Sequence, residues 1–141
     1  MVQLIGKGKQ NHFKKVPYIV AWIDLLGYGQ MLRDCNYDPT SKKAAEAVHR
    51  LEVFHEISLK HSCPAFQFFQ INDGIVAWRE LSIRTSSVTE DFIKRSIEFF
   101  NDVSETEKKL GFPGPRMVIA TGISMKMKTN NAVIAKKEQK H

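Results

Sequence analysis

Residues 65–78 read AFQFFQINDGIVAW, and the predicted arrangement of strands depends most on them. Two runs rich in aromatic and β-branched residues, the types that favour strands, stand on either side of Asn72-Asp73-Gly74. A short Asn/Asp-Gly centre between two such runs is a strong local signal for a β-hairpin. The sequence therefore predicts two neighbouring antiparallel strands joined by a tight turn.

Outward from this hairpin, the chain reads as two further strands and two helices. Upstream, the apolar run Pro17 to Asp24 predicts a strand, and Asp38-Pro39 predicts the start of a helix with Asp38 as its N-cap. Downstream, an amphipathic helix is predicted up to Gly111, and a strand follows from Arg116 to Ser124. The order strand, helix, hairpin, helix, strand predicts an α+β fold, a ferredoxin-like βαββαβ core whose antiparallel sheet carries its helices on one face.

The distribution of charge divides the chain into a domain and two basic ends. The net charge is +6, but the lysines in excess lie near the two termini, whereas the middle of the chain is slightly acidic. We expect a basic N-terminal extension at 1–16, the folded domain at 17–124 and a lysine-rich tail at 125–141. Because the basic charge belongs to the ends, nucleic acid is disfavoured as a partner. A nucleic-acid-binding domain that acts through these ends stays as the weakest alternative.

The sequence predicts a cytoplasmic protein without a membrane segment. Its longest strongly apolar stretch, Tyr18 to Ile23, is far shorter than the ~20 residues that a membrane-spanning helix needs. The basic N-terminus has no long apolar core, so it does not read as a secretory signal. Cys35 and Cys63 lack CxxC spacing and read as reduced thiols.

Two aspartates lie where the predicted fold would bring them together. Asp24 ends the first strand and Asp73 lies at the tip of the hairpin. Carboxylates in close proximity repel unless a cation lies between them, and oxygen ligands suit Mg²⁺. Gly27 and Gly29 would let backbone amides approach phosphate groups. Simpler roles remain open, because Asp73 could serve only the turn and Asp24 could bond only to nearby backbone amides.

Three segments resemble motifs of the class III nucleotidyl cyclases, the family of the adenylate and guanylate cyclases. IDLLGYG at 23–29 is similar to the strand-end motif of that family, and INDGIVAW at 71–78 is similar to its second metal motif. RMVIATGIS at 116–124 resembles the strand that follows. The order and spacing of the three segments carry the resemblance.

The resemblance implies a site and a reaction. Asp24, Asp73 and the backbone carbonyl of Leu25 would hold Mg²⁺ or Mn²⁺ in a two-ion site. The triphosphate would face the loop that follows, made of Leu26, Gly27, Tyr28 and Gly29. The implied reaction is attack of a ribose 3′-hydroxyl on the α-phosphate of a nucleoside triphosphate, which gives a 3′,5′-cyclic nucleotide and pyrophosphate. The implied assembly is a homodimer.

The sequence also departs from the family pattern. Phe69 stands where purine cyclases often carry a base-selecting lysine, so it is the candidate residue of the base pocket and is compatible with divergent bacterial cyclases, including the pyrimidine cyclases. Asn72 replaces the usual glycine. No segment after Ser124 matches the one that supplies an Asn and an Arg to the transition state. We therefore expect either a truncated cyclase domain or an inactive module of the same fold that serves dimerisation or nucleotide sensing.

Overall fold

The computed structural model describes residues 13–81 and 86–127. Its elements, in chain order, are β1 (Phe13–Leu25), α1 (Tyr28–Asp34), α2 (Lys42–His61), β2 (Gln67–Ile71), β3 (Gly74–Glu80), α3 (Ser86–Leu110) and β4 (Pro115–Met127). The strands form a four-stranded sheet in the order β2-β3-β1-β4, and every neighbouring pair is antiparallel. The predicted α+β fold with a ferredoxin-like core is thereby confirmed.

The core lies between one face of the sheet and the two long helices. Alternate residues of β1 point into it, and Ile19, Ala21 and Ile23 are almost fully buried. The centre is aromatic: the Phe66 ring lies 5.7 Å from that of Phe92 and 6.0 Å from that of Phe99, between centroids. Burial of each such ring contributes on the order of 1.5–3 kcal/mol, so this cluster holds the helices to the sheet.

The opposite face of the sheet is apolar and is left open by the described residues. Trp22 of β1 is 45% exposed, Phe69 of β2 is 50% exposed and Val118 of β4 is 57% exposed. Their register places them with Val76 of β3 in one row that crosses all four strands. We call this surface the open face, and define it by the row Phe69, Val76, Trp22 and Val118 and by the neighbouring row Gln67, Trp78, Val20 and Ala120.

A short helix, α1, follows β1 where the sequence predicts only a break. Gly27 has a φ of 74° and serves as the N-cap residue of α1, and the amide of Met31 donates to the Gly27 carbonyl at 3.1 Å. A left-handed φ is unfavourable for residues with a Cβ, so glycine suits this position. Gly29 lies inside the helix. Seven residues give too little periodicity for a sequence pattern to reveal such a helix.

The predicted start of the next helix is wrong by three residues. The helix α2 begins at Lys42, and the Ser41 hydroxyl caps it by accepting the amide of Ala44 at 3.0 Å. Asp38 instead accepts the amide and the hydroxyl of Thr40, at 2.9 and 2.7 Å. An aspartate side chain that closes a local turn two residues on is no longer free to cap a helix, so the next serine takes that role.

Both ends of the described chain lie in long strands. Because β1 begins at Phe13 and β4 ends at Met127, the sheet continues past the predicted domain limits of 17 and 124. The division into extension, domain and tail stays a prediction, and most of both basic ends lies outside the described residues. Within 13–81 and 86–127, none of the helices has the length and apolar character that crossing a membrane requires. Cys35 and Cys63 are free thiols.

Candidate functional site

The C-terminal end of β1 and the turn between β2 and β3 lie side by side at one end of the strands. Asp24 is the register partner of Gly74 on β3 and of Arg116 on β4. The next residue, Leu25, donates its amide to the backbone carbonyl of Asp73 at 3.0 Å. The two aspartates singled out in the sequence are therefore neighbours in the fold, although many residues separate them along the chain.

The glycine of the hairpin serves the approach of two strands, not the turn. A Cβ on Gly74 would lie 2.9 Å from the Ile23 carbonyl oxygen and 3.3 Å from the Cβ of Asp24, so only glycine lets β3 lie this close to β1. The positive φ of the turn falls on Asn72, at 50°. The two-residue loop is thus Asn72-Asp73, so Asp73 is a residue of the turn and its simpler role there stays open.

An arginine that the sequence analysis did not include in the site holds the Asp24 carboxylate. Arg116 donates from Nε and Nη2 to the two carboxylate oxygens, at 3.2 and 2.8 Å. The side chain of Asp24 is 18% exposed, whereas that of Arg116 is 63% exposed. The hydrogen bond and charge of Asp24, with a smaller effect of Asp73, raise the pKa of Arg116 above its ordinary value. Only the register of β1 against β4 reveals this pair, since nothing in the sequence joins the two positions.

The predicted phosphate loop has two parts: Leu26, whose backbone is hydrogen-bonded within the fold, and residues 27–29, which begin α1. Leu26 donates its amide to the Gly114 carbonyl at 2.9 Å, and its own carbonyl accepts Nη2 of Arg50 at 2.8 Å. The amide of Leu26 is therefore committed within the fold, which argues against its predicted contact with phosphate. Gly27, Tyr28 and Gly29 begin α1 beside it, and their contact with phosphate stays a prediction.

Tyr28 connects this loop to the second aspartate. The residue is half-buried and packs against the core. Burial raises the pKa of the Tyr28 phenol, and the negative charge of Asp73 raises it further, while Arg50 acts in the opposite direction. The phenol is therefore held in its neutral, hydrogen-bond-donating form well past neutral pH.

We expect the substitution Asp73→Asn to lower the pKa of Tyr28 without returning it to its ordinary value. The charge that disfavours the phenolate is removed, whereas the burial that contributes most remains. An alkaline absorbance titration of each protein, with the matching Tyr28→Phe variant subtracted, isolates this one phenol. Asp91→Asn is the control, because Asp91 lies in a separate cluster with Arg79 and Arg95. An unchanged Tyr28 titration in Asp73→Asn would show that the carboxylate does not face the loop.

Phe69, the predicted base-pocket residue, lies on the open face next to the site. Its ring centroid is 5.4 Å from that of Trp78 at an angle of 49°. Its row on the sheet adjoins the row that ends in Asp24 and Arg116. Phe69 is thus half-exposed on the sheet face beside the aspartates, and its contact with a base stays a prediction.

The carboxylates present fit a divalent ion that arrives with a phosphate ligand. Among the residues that the structure describes, no three or more His, Cys, Asp or Glu side chains cluster as a self-sufficient metal site. Mg²⁺, however, is commonly held by one or two carboxylates together with substrate phosphates. Asp24 and Asp73 could supply such a pair of hard oxygen donors once Arg116 releases Asp24.

Comparison with protein-family models and with curated protein sequences gives no match. Solved structures do match. The adenylyl cyclase CyaB from P. aeruginosa is 12% identical with a TM-score of 0.52, over 91% of this chain and 73% of that one. The guanylyl cyclase Cya2 is 16% identical with a TM-score of 0.48, over 79% and 56%. The guanylyl cyclase domain of the RhoGC fusion protein from the aquatic fungus Blastocladiella emersonii is 15% identical with a TM-score of 0.44, over 79% and 60%.

The likeness to CyaB assigns a fold. This chain has the fold of the adenylyl cyclase CyaB, so the resemblance to class III nucleotidyl cyclases is confirmed at the level of the fold. The match covers 73% of the CyaB chain and 56% of the Cya2 chain. Activity and ligands do not follow from a fold.

Proposed function

We propose that this domain binds a metal–nucleoside triphosphate at the end of the central strands, where Asp24, Asp73 and the start of α1 lie together. The observation that carries this proposal is the hydrogen bond from Leu25 to the Asp73 carbonyl, which joins the two aspartate-bearing segments in a cyclase-like fold. Mg²⁺ or Mn²⁺, held between Asp24, Asp73, the Leu25 carbonyl and the phosphates, would neutralise phosphate charge and polarise the α-phosphate. A pair of such ions is the arrangement that the resemblance implies.

Each residue of the site has a part in the proposed reaction. Asp24 and Asp73 would hold the metal ion that binds and orients the phosphate end of the substrate, and the amides of 27–29 would contact the phosphates. When the Asp24 carboxylate binds the metal ion, Arg116 releases it. The exposed guanidinium of Arg116 can then pair with phosphate oxygens. In a complete site the ribose 3′-hydroxyl attacks the α-phosphate, so that a 3′,5′-cyclic nucleotide forms and pyrophosphate leaves.

A second candidate is an inactive module of the same fold that senses nucleotide or only dimerises. The bidentate pair of Arg116 with Asp24 favours it, because a carboxylate held through both oxygens is satisfied without a metal. The nucleotide-sensing form of this module shares binding with the first candidate and differs in turnover, whereas a module that only dimerises binds no nucleotide.

Calorimetric titration of each of the four nucleoside triphosphates, with Mn²⁺ and again with EDTA, tests the proposal. We expect saturable binding that depends on the metal. Incubation with the same triphosphates, followed by mass detection of a cyclic product, separates the enzyme from the inactive module. Failure of all four triphosphates to bind in the presence of Mn²⁺ would refute both the enzyme and the nucleotide-sensing module, and would leave only a module that dimerises. Because the titration compares four bases, it also measures the preference that Phe69 is proposed to influence.

We further propose that a second copy of the chain covers the open face. This surface crosses all four strands, and the only side chain in its two rows that is not apolar is Gln67. Monomeric proteins rarely expose a contiguous apolar patch of more than a few hundred Å². A shallow depression of about 350 Å³ at Tyr18 and Trp78 extends the surface towards the end of β4. Two such faces can pair symmetrically, because a two-fold axis sets the same patch against itself.

The substitution Trp22→Glu should convert a dimer into a monomer. A carboxylate in the middle of an apolar interface would be buried without a partner, at a cost of several kcal/mol. Sedimentation equilibrium over a range of concentrations measures the change. Leu59→Glu is the matched control, since Leu59 is 67% exposed on α2, in the helical layer. A wild-type chain that sediments as a monomer throughout, or a Trp22→Glu variant that stays dimeric, would disprove this arrangement.

A further inference from the structure

A buried arginine on α2 connects the candidate phosphate loop to the far end of α3. Arg50 is 1% exposed and Glu107 is 4% exposed, so the pair is removed from water. Nε of Arg50 donates to both carboxylate oxygens of Glu107, at 3.0 and 3.1 Å, and Nη2 donates to Oε1 as well. The same Nη2 donates to the Leu26 carbonyl at 2.8 Å.

The rest of the guanidinium is also engaged. Nη1 lies 3.5 Å from the Sδ of Met31 on α1, and Cζ lies 4.8 Å from the centroid of the Phe112 ring. Planar donors, charge and stacking are the properties that distinguish arginine from lysine, and this position uses all three. A group with so many directional contacts has little freedom to move.

Residues 107–114 hold Leu26 from both sides of its backbone. Gly111 follows the last residue of α3 and has a φ of 79°, and the amide of Phe112 donates to the Glu107 carbonyl at 2.9 Å. This is the Schellman arrangement, which fixes the direction in which the chain leaves the helix. From there the Gly114 carbonyl accepts the amide of Leu26, while Glu107 holds Arg50 against the Leu26 carbonyl.

We propose that Arg50 and Glu107 are positioning residues: they fix Leu26, and thereby set where Asp24, Leu25 and the start of α1 lie relative to the bound triphosphate. The effect on the bound triphosphate rests on the proposed function, whereas the fixing of Leu26 by Arg50 and Glu107 does not. The pair lies behind the loop, in the helical layer, and Arg50 contacts the backbone of Leu26 and the side chain of Met31.

The test uses the full chain with the double substitution Arg50→Met and Glu107→Leu. Replacement of a buried ion pair by apolar residues of similar volume is often neutral for stability, so this variant is expected to fold. It nevertheless loses the hydrogen bond to Leu26. Arg50→Lys is a second variant, in which the charge facing Glu107 remains but a single ammonium cannot reproduce the two edges of the guanidinium. Arg79→Met is the control, because Arg79 pairs with Asp91 away from the loop.

Amide hydrogen exchange in the protein without ligand is the first measurement. The amides of Leu26 and Met31 should exchange about tenfold faster in the double variant, since a hydrogen bond to a charged group contributes at about this level. The amide of Leu81, which donates to the Pro17 carbonyl at 2.8 Å at the other end of β1, is the internal reference and should not change. Unchanged exchange at Leu26 and Met31, in either folded variant, would overturn the proposal.

Calorimetric binding of Mn²⁺ with a triphosphate is the second measurement. We expect the dissociation constant to rise about tenfold in the double variant and to stay unchanged in Arg79→Met. Equal binding by the wild type and the double variant, despite faster exchange, would overturn the positioning role. If the wild type binds no triphosphate while exchange still accelerates, the proposed function fails and the mechanical link from α3 to the loop stands.

Discussion

The variant Asp24→Asn should lose metal-dependent binding of nucleoside triphosphate. An amide oxygen is a weaker and uncharged ligand, so we expect the dissociation constant in Mn²⁺ to rise by about 100-fold or more, given that even the outer partners of metal ligands contribute 10- to 100-fold. The protein should remain folded, because the lost partner, Arg116, is 63% exposed and can be solvated by water. Calorimetric titration with Mn²⁺ and with EDTA measures the effect.

The titration in EDTA makes this prediction sharper. In the wild type the Arg116 guanidinium is held by Asp24 through two hydrogen bonds. In Asp24→Asn it becomes free to attract phosphate, so metal-free binding of triphosphate should stay equal or increase while metal-dependent binding disappears. Asp102→Asn is the matched control: it removes one carboxylate that pairs with His61 on the helical layer, and it should bind as the wild type does. Unchanged binding in Mn²⁺ by Asp24→Asn would exclude the proposed site.

The variant Glu107→Ala should be among the most destabilised single substitutions in the chain. It leaves the Arg50 guanidinium buried without its counter-charge, and the loss of one partner of a buried ion pair typically costs about 3–5 kcal/mol. This is a large share of the stability of a small domain, which is commonly about 5–15 kcal/mol. The midpoint and slope of urea unfolding measure it.

Two companion variants separate burial from charge. Asp102→Ala breaks a hydrogen bond from α3 to His61 on α2, but His61 is 24% exposed and Asp102 is 42% exposed, so we expect a loss of about 1 kcal/mol or less. The double substitution Arg50→Met with Glu107→Leu should recover most of the stability that Glu107→Ala loses, because no charge is then left in the core. If Glu107→Ala were no worse than Asp102→Ala, water would have to reach Arg50, and its role as a buried anchor would be wrong.

The open face shows that an apolar pattern in the sequence predicts a strand but not what covers each of its two faces. Apolar residues on both sides of β1 are typical of a strand in the middle of a sheet, and β1 lies between β3 and β4. The same pattern does not distinguish a face that helices cover from a face that they leave open. Ile23 is fully buried while the adjacent Trp22 is 45% exposed, and their identities alone do not predict that difference. Period-two patterning gives the strand, and packing decides what covers each side.

The order of the four strands and the two long helices, the hairpin, and the placing of the two aspartates at a strand end and in a turn could all be predicted from the sequence, because they depend on local signals: residue type, spacing and turn chemistry. Only the tertiary structure decided that Arg116 holds Asp24 and that Arg50 holds Leu26. Both contacts join residues far apart in the chain, and each depends on strand register or helix packing. Local patterns do not encode such distances, since they are fixed only when the whole core has formed.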